Sequence, residues 1–281
     1  MRNEAGVSRR EILAVLAAAF AGGTPHLLQA ARLSDVAVQL FSVAEQLGSD
    51  PGPSVAALAN IGFSDVEAWF PPENAPTSAD LRRALDRHGL TARSRQWSSR
   101  DMKAENLPRI LSECRALGNQ FLFVASLPPE QRGQLDSYKR AAELFNAMGR
   151  STREEGVQFG FHNEAWELTA LDGVVPLDYL IEHTDRQWVH FQIDAANLVK
   201  GGGAPVAYLE RLRGRVESIH LKDVNTNGEA TALGTGVVPL RDVLRAATQA
   251  GVTQFVVEDL RRGLGYSHVE SAFAVLRDMQ Y

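Results

Sequence analysis

Ser218-Ile219-His220-Leu221-Lys222-Asp223-Val224 reads as a buried β-strand that carries two groups resisting burial. Side chains alternate along a strand, so Ser218, His220 and Lys222 share one face while Ile219 and Leu221 share the other. A histidine and a lysine on one interior face are tolerable only beside carboxylates, a cation or a bound substrate, because an unpaired buried charge is prohibitive. Strands covered by helices on one side and by packed side chains on the other belong to parallel sheets, where a polar residue is conspicuous.

The same kind of segment recurs along the chain. Strands are predicted at Val36–Phe41, Asp65–Trp69, Thr91–Gln96, Gln120–Ala125, Val157–Glu164, Val189–Asp194, Val216–Lys222 and Gln254–Glu258. Helical patterns such as "SADLRRALDRHG" and "PLRDVLRAATQAG" fall between them, and Gly62, Gly89, Gly118, Gly156, Gly214 and Gly251 stand at helix ends as left-handed caps. Strand–helix units repeated without a break in composition predict an α/β protein, a single (β/α)8 TIM barrel. A doubly wound open sheet is the alternative. No GxGxxG follows the first strand, and "KGGGAP" lacks the spacing and the Ser/Thr of a phosphate loop.

The 281 residues are 44% hydrophobic and 22% charged, with a net charge of −5 and no Lys/Arg-rich block in the body of the chain. That excludes the clustered basic footprint of a nucleic-acid partner. The single cysteine, Cys114, lies in a helical pattern and reads as a packed thiol.

The N-terminus follows another plan. In "VSRREILAVLAAAFAGG", Arg9-Arg10 precede an apolar run of roughly a dozen residues, too short to span a bilayer. Ser8-Arg9-Arg10-Glu11-Ile12-Leu13 resembles the twin-arginine export signal, an address read by a receptor and not a stable membrane anchor. Residues 1–30 are therefore expected to be an export signal, 31–281 the barrel domain, and the protein periplasmic or exported.

Alternation within each strand gathers polar groups on the inner face. "GVQFGFHNEAWEL" turns Gln158, Gly160, His162 and Glu164 inward; "VHFQIDAAN" does the same with Gln192 and Asp194, and "QFVVEDL" with Val256 and Glu258. Gln39 and Glu67 join them from the first two strands. Most lie toward the C-terminal strand ends, where barrel enzymes assemble their sites. Asp194, His220 and Glu258, from successive strands, converge on one side of the mouth, and Glu164 or His162 completes a mixed oxygen/nitrogen set. Such a set suits Mn²⁺, Zn²⁺ or Co²⁺, whereas all-oxygen sites suit Mg²⁺ better. The alternative is a metal-free polar network in which Asp194 satisfies His220.

At these residues the chain resembles the sugar phosphate isomerase/epimerase group of xylose-isomerase-like TIM barrels. The matching segments are Gln39-Leu40-Phe41-Ser42, Gly62-Phe63 with Val66-Glu67, His162-Asn163-Glu164, Asp194, His220-Leu221-Lys222-Asp223, "LGTGVVPLRDVL" and Glu258. Two positions depart from the pattern: Glu164 replaces the second histidine of the fifth strand, and Asn197 stands where many relatives carry Trp or His. The resemblance implies Asp194, His220 and Glu258 as metal ligands and leaves His162 and Glu164 open as the remaining one.

It further implies a metal-dependent isomerase or epimerase that removes a proton beside the carbonyl of a sugar or keto-sugar. Glu258 or Glu164 would act as base, and Lys222 would orient an oxygen. Gln39, Glu67, Asn197 and Trp166 would meet substrate; Trp69 and Trp97 are further candidates to stack on a sugar ring. The alternatives are a lyase or dehydratase acting on oxidised 3-keto glycosides, or a non-catalytic sugar-binding barrel. The expected partner is a small, unphosphorylated carbohydrate, and the resemblance, to barrels that often dimerise, allows a homodimer.

Overall fold

The computed structural model describes residues 33, 35–69 and 76–281. Among them, eight parallel strands close one barrel: β1 (Ala37–Gln39), β2 (Asp65–Ala68), β3 (Thr91–Trp97), β4 (Phe121–Val124), β5 (Gln158–His162), β6 (Val189–Asp194), β7 (Val216–Leu221) and β8 (Gln254–Val257). Each strand pairs with its neighbours in sequence, and β1 closes the ring on β8. The expected barrel is present, and every expected strand is found to within two residues at its ends.

Helices α1 (Gly52–Ile61), α2 (Ser78–His88), α3 (Leu107–Leu117), α4 (Leu135–Glu154), α5 (Pro176–His183), α6 (Ala195–Lys200), α7 (Pro205–Arg211) and α8 (Leu240–Ala250) return the chain between strands, and α9 (Ser267–Asp278) follows the last one. Their sequences carry the usual apolar stripe. In α8, Leu240, Val243, Leu244 and Ala247 recur at helical spacing and are all buried. Thr77 caps α2 by accepting a hydrogen bond from Asp80 N, and Gly89 ends that helix at φ 73°.

Two shells of different chemistry result. Outward residues such as Val38, Leu122, Phe159, Phe161, Ile193, Ile219 and Leu221 are buried in an apolar layer beneath the helices. The inner face instead holds Gln39, Glu67, Ser94, Gln96, Gln192, Ser218 and His220, all buried. Phe123 of β4 also fills the interior, and Gly160 of β5 lets it: a Cβ on Gly160 would stand 2.7 Å from the Phe123 ring.

The ends of the strands bring corrections. The fifth strand stops at His162, not at Glu164. Glu164 caps a 3-10 turn, Ala165–Leu168, whose Glu167 side chain accepts from Glu164 N and peels the chain off the barrel. The sixth strand runs directly into α6, because the Asp194 side chain accepts from Asn197 N and so caps that helix. Beyond β7, Asp223–Val224 and Ala230–Thr231 form an unexpected two-stranded ribbon. Asp223 collects the amides of Gly234, Gly236 and Val238 and so folds the "LGTGVV" segment against the barrel.

The expected export segment, 1–30, and its boundary at residue 31 lie outside the described residues. None of the described helices is long and apolar enough to cross a membrane.

Candidate metal centre and active site

The site is built in tiers, beginning with a carboxylate at its floor. Glu67, fully buried on β2, has four donors around its two oxygens. Gln39 Nε2 (2.8 Å) and His220 Nε2 (2.6 Å) reach Oε1; Ser94 Oγ (2.7 Å) and Gln192 Nε2 (2.5 Å) reach Oε2. Strand register explains the convergence, since Glu67 pairs with Gln39 and Ser94, and Gln192 pairs with Ser218. Gln39 and Glu67, expected to meet substrate, lie at this floor. Both are fully buried and hydrogen-bonded to one another and to their neighbours.

The middle tier comprises His162, Asp194 and His220. Each offers a donor atom lying within 4.8 Å of the others, and all three residues are buried. The imidazole centroids are 4.6 Å apart. His162 Nδ1 sits 3.1 Å from Gln192 Oε1 and its Nε2 lies 3.8 Å from Asp194 Oδ2. Burial holds the His162 imidazole down at about 4, with the neighbouring His220 acting in the same direction. Burial also opposes charge on His220, but Glu67 and Glu258 outweigh it and lift its pKa to about 10.

The upper tier is partly open to the mouth. Lys222 Nζ lies 2.7 Å from Asp194 Oδ2 and 2.8 Å from Glu258 Oε2, and Glu258 Oε2 also receives His220 Nδ1 at 3.0 Å. Burial works against the Glu258 charge, yet Lys222 and His220 hold its carboxyl well below the usual range. Glu164 behaves oppositely: burial raises it to about 7 despite Lys222. Asn197 Nδ2 donates to Glu164 Oε2 at 2.9 Å and to Asn163 O at 3.2 Å, so Asn197 steadies Glu164. Trp166, half-buried, has the Arg132 guanidinium 3.8 Å above its ring.

The residues suit a divalent ion. Two imidazoles and a carboxylate form a borderline N/O donor set. Asp194 Oδ2 is buried with the Lys222 ammonium 2.7 Å away as its ion-pair partner, so a divalent cation could take the place of that positive charge. His162, held neutral by burial, has a lone pair on one of its two ring nitrogens to offer a cation.

Of the five expected ligand residues, three meet as one group. Glu258 is joined to them through His220 and Lys222, while Glu164 faces Asn197. Several contributors went unread as site residues. Gln192 had a visible signal, lying two positions before Asp194 on the same face of its strand. Arg132 and Tyr138 had none. The Tyr138 hydroxyl donates to Glu167 Oε1 at 3.2 Å from across the fold, and Arg132 arrives from the loop after β4.

A family model described as the xylose isomerase-like TIM barrel matches residues 55–278. Among curated proteins, the chain is 27% identical over 195 residues to an inosose dehydratase of Clostridium beijerinckii, covering 62% of this chain and 63% of that protein. It is 24% identical over 190 residues to the inosose dehydratase of Salmonella typhimurium, covering 61% of each. The chain therefore aligns with less than two thirds of the length of these relatives.

Among solved structures, a sugar phosphate isomerase/epimerase from Parabacteroides distasonis superposes with a TM-score of 0.74 at 23% identity, over 89% of this chain and 95% of that one. A D-allulose 3-epimerase from Methylomonas sp. superposes with a TM-score of 0.66 at 11% identity, over 88% and 96%. Those two likenesses are likenesses of fold.

Proposed function

Because the chain belongs to the xylose isomerase-like TIM-barrel family, we propose that it is a metal-assisted enzyme that removes the proton beside the carbonyl of a sugar or keto-sugar. The observation that carries this reading is the meeting of His162, Asp194 and His220 donor atoms within 4.8 Å, directly below two carboxylates of opposite character. His162, Asp194 and His220 would hold Mn²⁺, Zn²⁺, Co²⁺ or Mg²⁺, with Glu258 as the additional carboxylate. When bound, such an ion polarises the carbonyl and stabilises the negative charge left when the neighbouring C–H proton departs.

The chain's own residues handle the protons. Glu258, kept ionised by Lys222 and His220, accepts the proton from carbon. Lys222 presents an ammonium to the oxygen that gains charge. Glu164, steadied by Asn197, returns a proton from the other side of the mouth. Return to carbon inverts or shifts the centre, giving an epimerase or isomerase.

A second outcome is elimination, in which Glu164 protonates a departing β-hydroxyl as water. Its raised pKa, about 7, supports this role of proton donor. So do the names of the curated relatives, which are inosose dehydratases. The twin-arginine pattern at Arg9-Arg10 supports export of the folded protein and thus an unphosphorylated substrate; fusing residues 1–30 to a reporter tests that part separately.

The deciding experiment incubates the Mn²⁺-loaded protein in D₂O with a panel of keto-sugars and inososes. Deuterium appearing beside the carbonyl without loss of water supports epimerisation or isomerisation. Loss of water supports dehydration. Neither exchange nor elimination across the panel would overturn the reading.

A further inference from the structure

We infer that Glu67 is the positioning residue of the metal centre: this one buried carboxylate orients His220 directly and His162 through Gln192, so that His220 Nδ1 and His162 Nε2 face the ion. The inference rests on the metal-centre reading above and adds which nitrogen of each histidine is used and what decides it.

The direct branch is a single hydrogen bond. His220 Nε2 lies 2.6 Å from Glu67 Oε1 at the closed floor of the barrel, where it can only donate. The ring's other nitrogen, Nδ1, therefore points to the mouth, where it now meets Glu258 Oε2. A carboxylate behind a ligating imidazole fixes both its ring orientation and its tautomer.

The indirect branch runs through an amide whose orientation is forced. Gln192 Nε2 is 2.5 Å from Glu67 Oε2 and 3.0 Å from Ser218 Oγ. Gln192 Oε1 is 2.8 Å from Gln96 Nε2 and 3.1 Å from His162 Nδ1. Turning the amide over would set its oxygen against the Glu67 carboxylate, a repulsive contact in a closed interior. Oε1 therefore faces His162, whose Nδ1 must carry the proton, and His162 Nε2 keeps its lone pair toward Asp194. Ser94 and Gln39 occupy the remaining capacity of Glu67 and hold it still.

Two measurements test this. Long-range ¹⁵N–¹H correlation spectra of the metal-free wild type should show His162 protonated at Nδ1 and bare at Nε2, and Gln192→Leu should lose that preference. Competition calorimetry with Zn²⁺ alone should show Glu67→Gln binding about 10–100-fold more weakly than wild type, with Gln192→Leu weakened as well. A wild-type His162 protonated at Nε2 would overturn the proposal, as would Zn²⁺ affinities of wild type and Glu67→Gln agreeing within about twofold. Should Glu67→Gln fail to fold, the wild-type spectrum and Gln192→Leu still decide. A wild type that takes up no Zn²⁺ while His162 shows the assigned tautomer would overturn the metal reading and leave the hydrogen-bond chain standing.

Discussion

Lys222 Nζ lies 2.8 Å from Glu258 Oε2, and the same ammonium sits 2.7 Å from Asp194 Oδ2. One cation thus neutralises two carboxylates, one from each of the strands that flank its own, in a buried space where an unpaired charge is costly. Lys222→Met should destabilise the metal-free protein by about 3–5 kcal/mol, the usual cost of stripping one partner from a buried pair. Added Zn²⁺ should restore part of that loss. Thermal denaturation with and without Zn²⁺ checks both effects, and an unchanged melting temperature would remove Lys222 from the electrostatic core of the site.

Glu258→Gln removes the proposed proton acceptor while keeping its shape. Turnover on the responsive keto-sugar should fall by about 10²–10⁴-fold, with deuterium exchange falling in parallel. Steady-state kinetics beside exchange measurements separate this from a loss of substrate binding, which would raise KM alone.

The Glu167 carboxyl gives stability a pH dependence of definite sign. Burial pushes Glu167 up to about 8, against the hydrogen bond from Glu164 N. Its pKa is higher folded than unfolded, so its contribution is complete below the ordinary glutamate range, near pH 4.5, and is lost as pH rises through about 8. Chemical denaturation at pH 5 and pH 9 should show wild type losing stability over that interval. Glu167→Gln should show a flatter profile, and equal slopes in the two proteins would contradict the assignment.

Gly160→Ala places a methyl 2.7 Å from the Phe123 ring and 2.9 Å from His190 O. The crowding should cost about 1–3 kcal/mol. Adding Phe123→Leu should recover part of it, since the ring can yield where the backbone carbonyl cannot. A double-mutant cycle in denaturant measures the coupling.

Asp223→Ala leaves the amides of Gly234, Gly236 and Val238 without their acceptor. The segment 225–238 should open and become the first site of limited proteolysis, with a stability loss of about 1–3 kcal/mol. Cleavage elsewhere at an unchanged rate would show that the loop is held by other contacts.

Much of this molecule could be read from period and punctuation. Alternation in "VHFQIDAAN" put Gln192 and Asp194 on the inner face, and alternation in "SIHLKDV" put His220 and Lys222 there, where the structure has them. Such signals are local: a strand's two faces follow from backbone geometry, and the burial of one face from the residues on it. Glu164 shows where this stops. Its parity agreed with an inward position, but the capping turn made with Glu167 ends the strand at His162 and hands Glu164 to Asn197. A competing hydrogen bond three residues away overrode the period.

By itself the sequence determined the barrel, the order of its units and which side chains turn inward, because each depends on neighbours along the chain. Which inward groups touch was decided only by tertiary structure. Closing the ring brings Glu67 of β2 to His220 of β7, 153 positions apart, and to Gln192 of β6, 125 apart. Strand register and barrel closure fix those contacts, and no local pattern encodes either; they make Glu67 the floor on which both histidines stand.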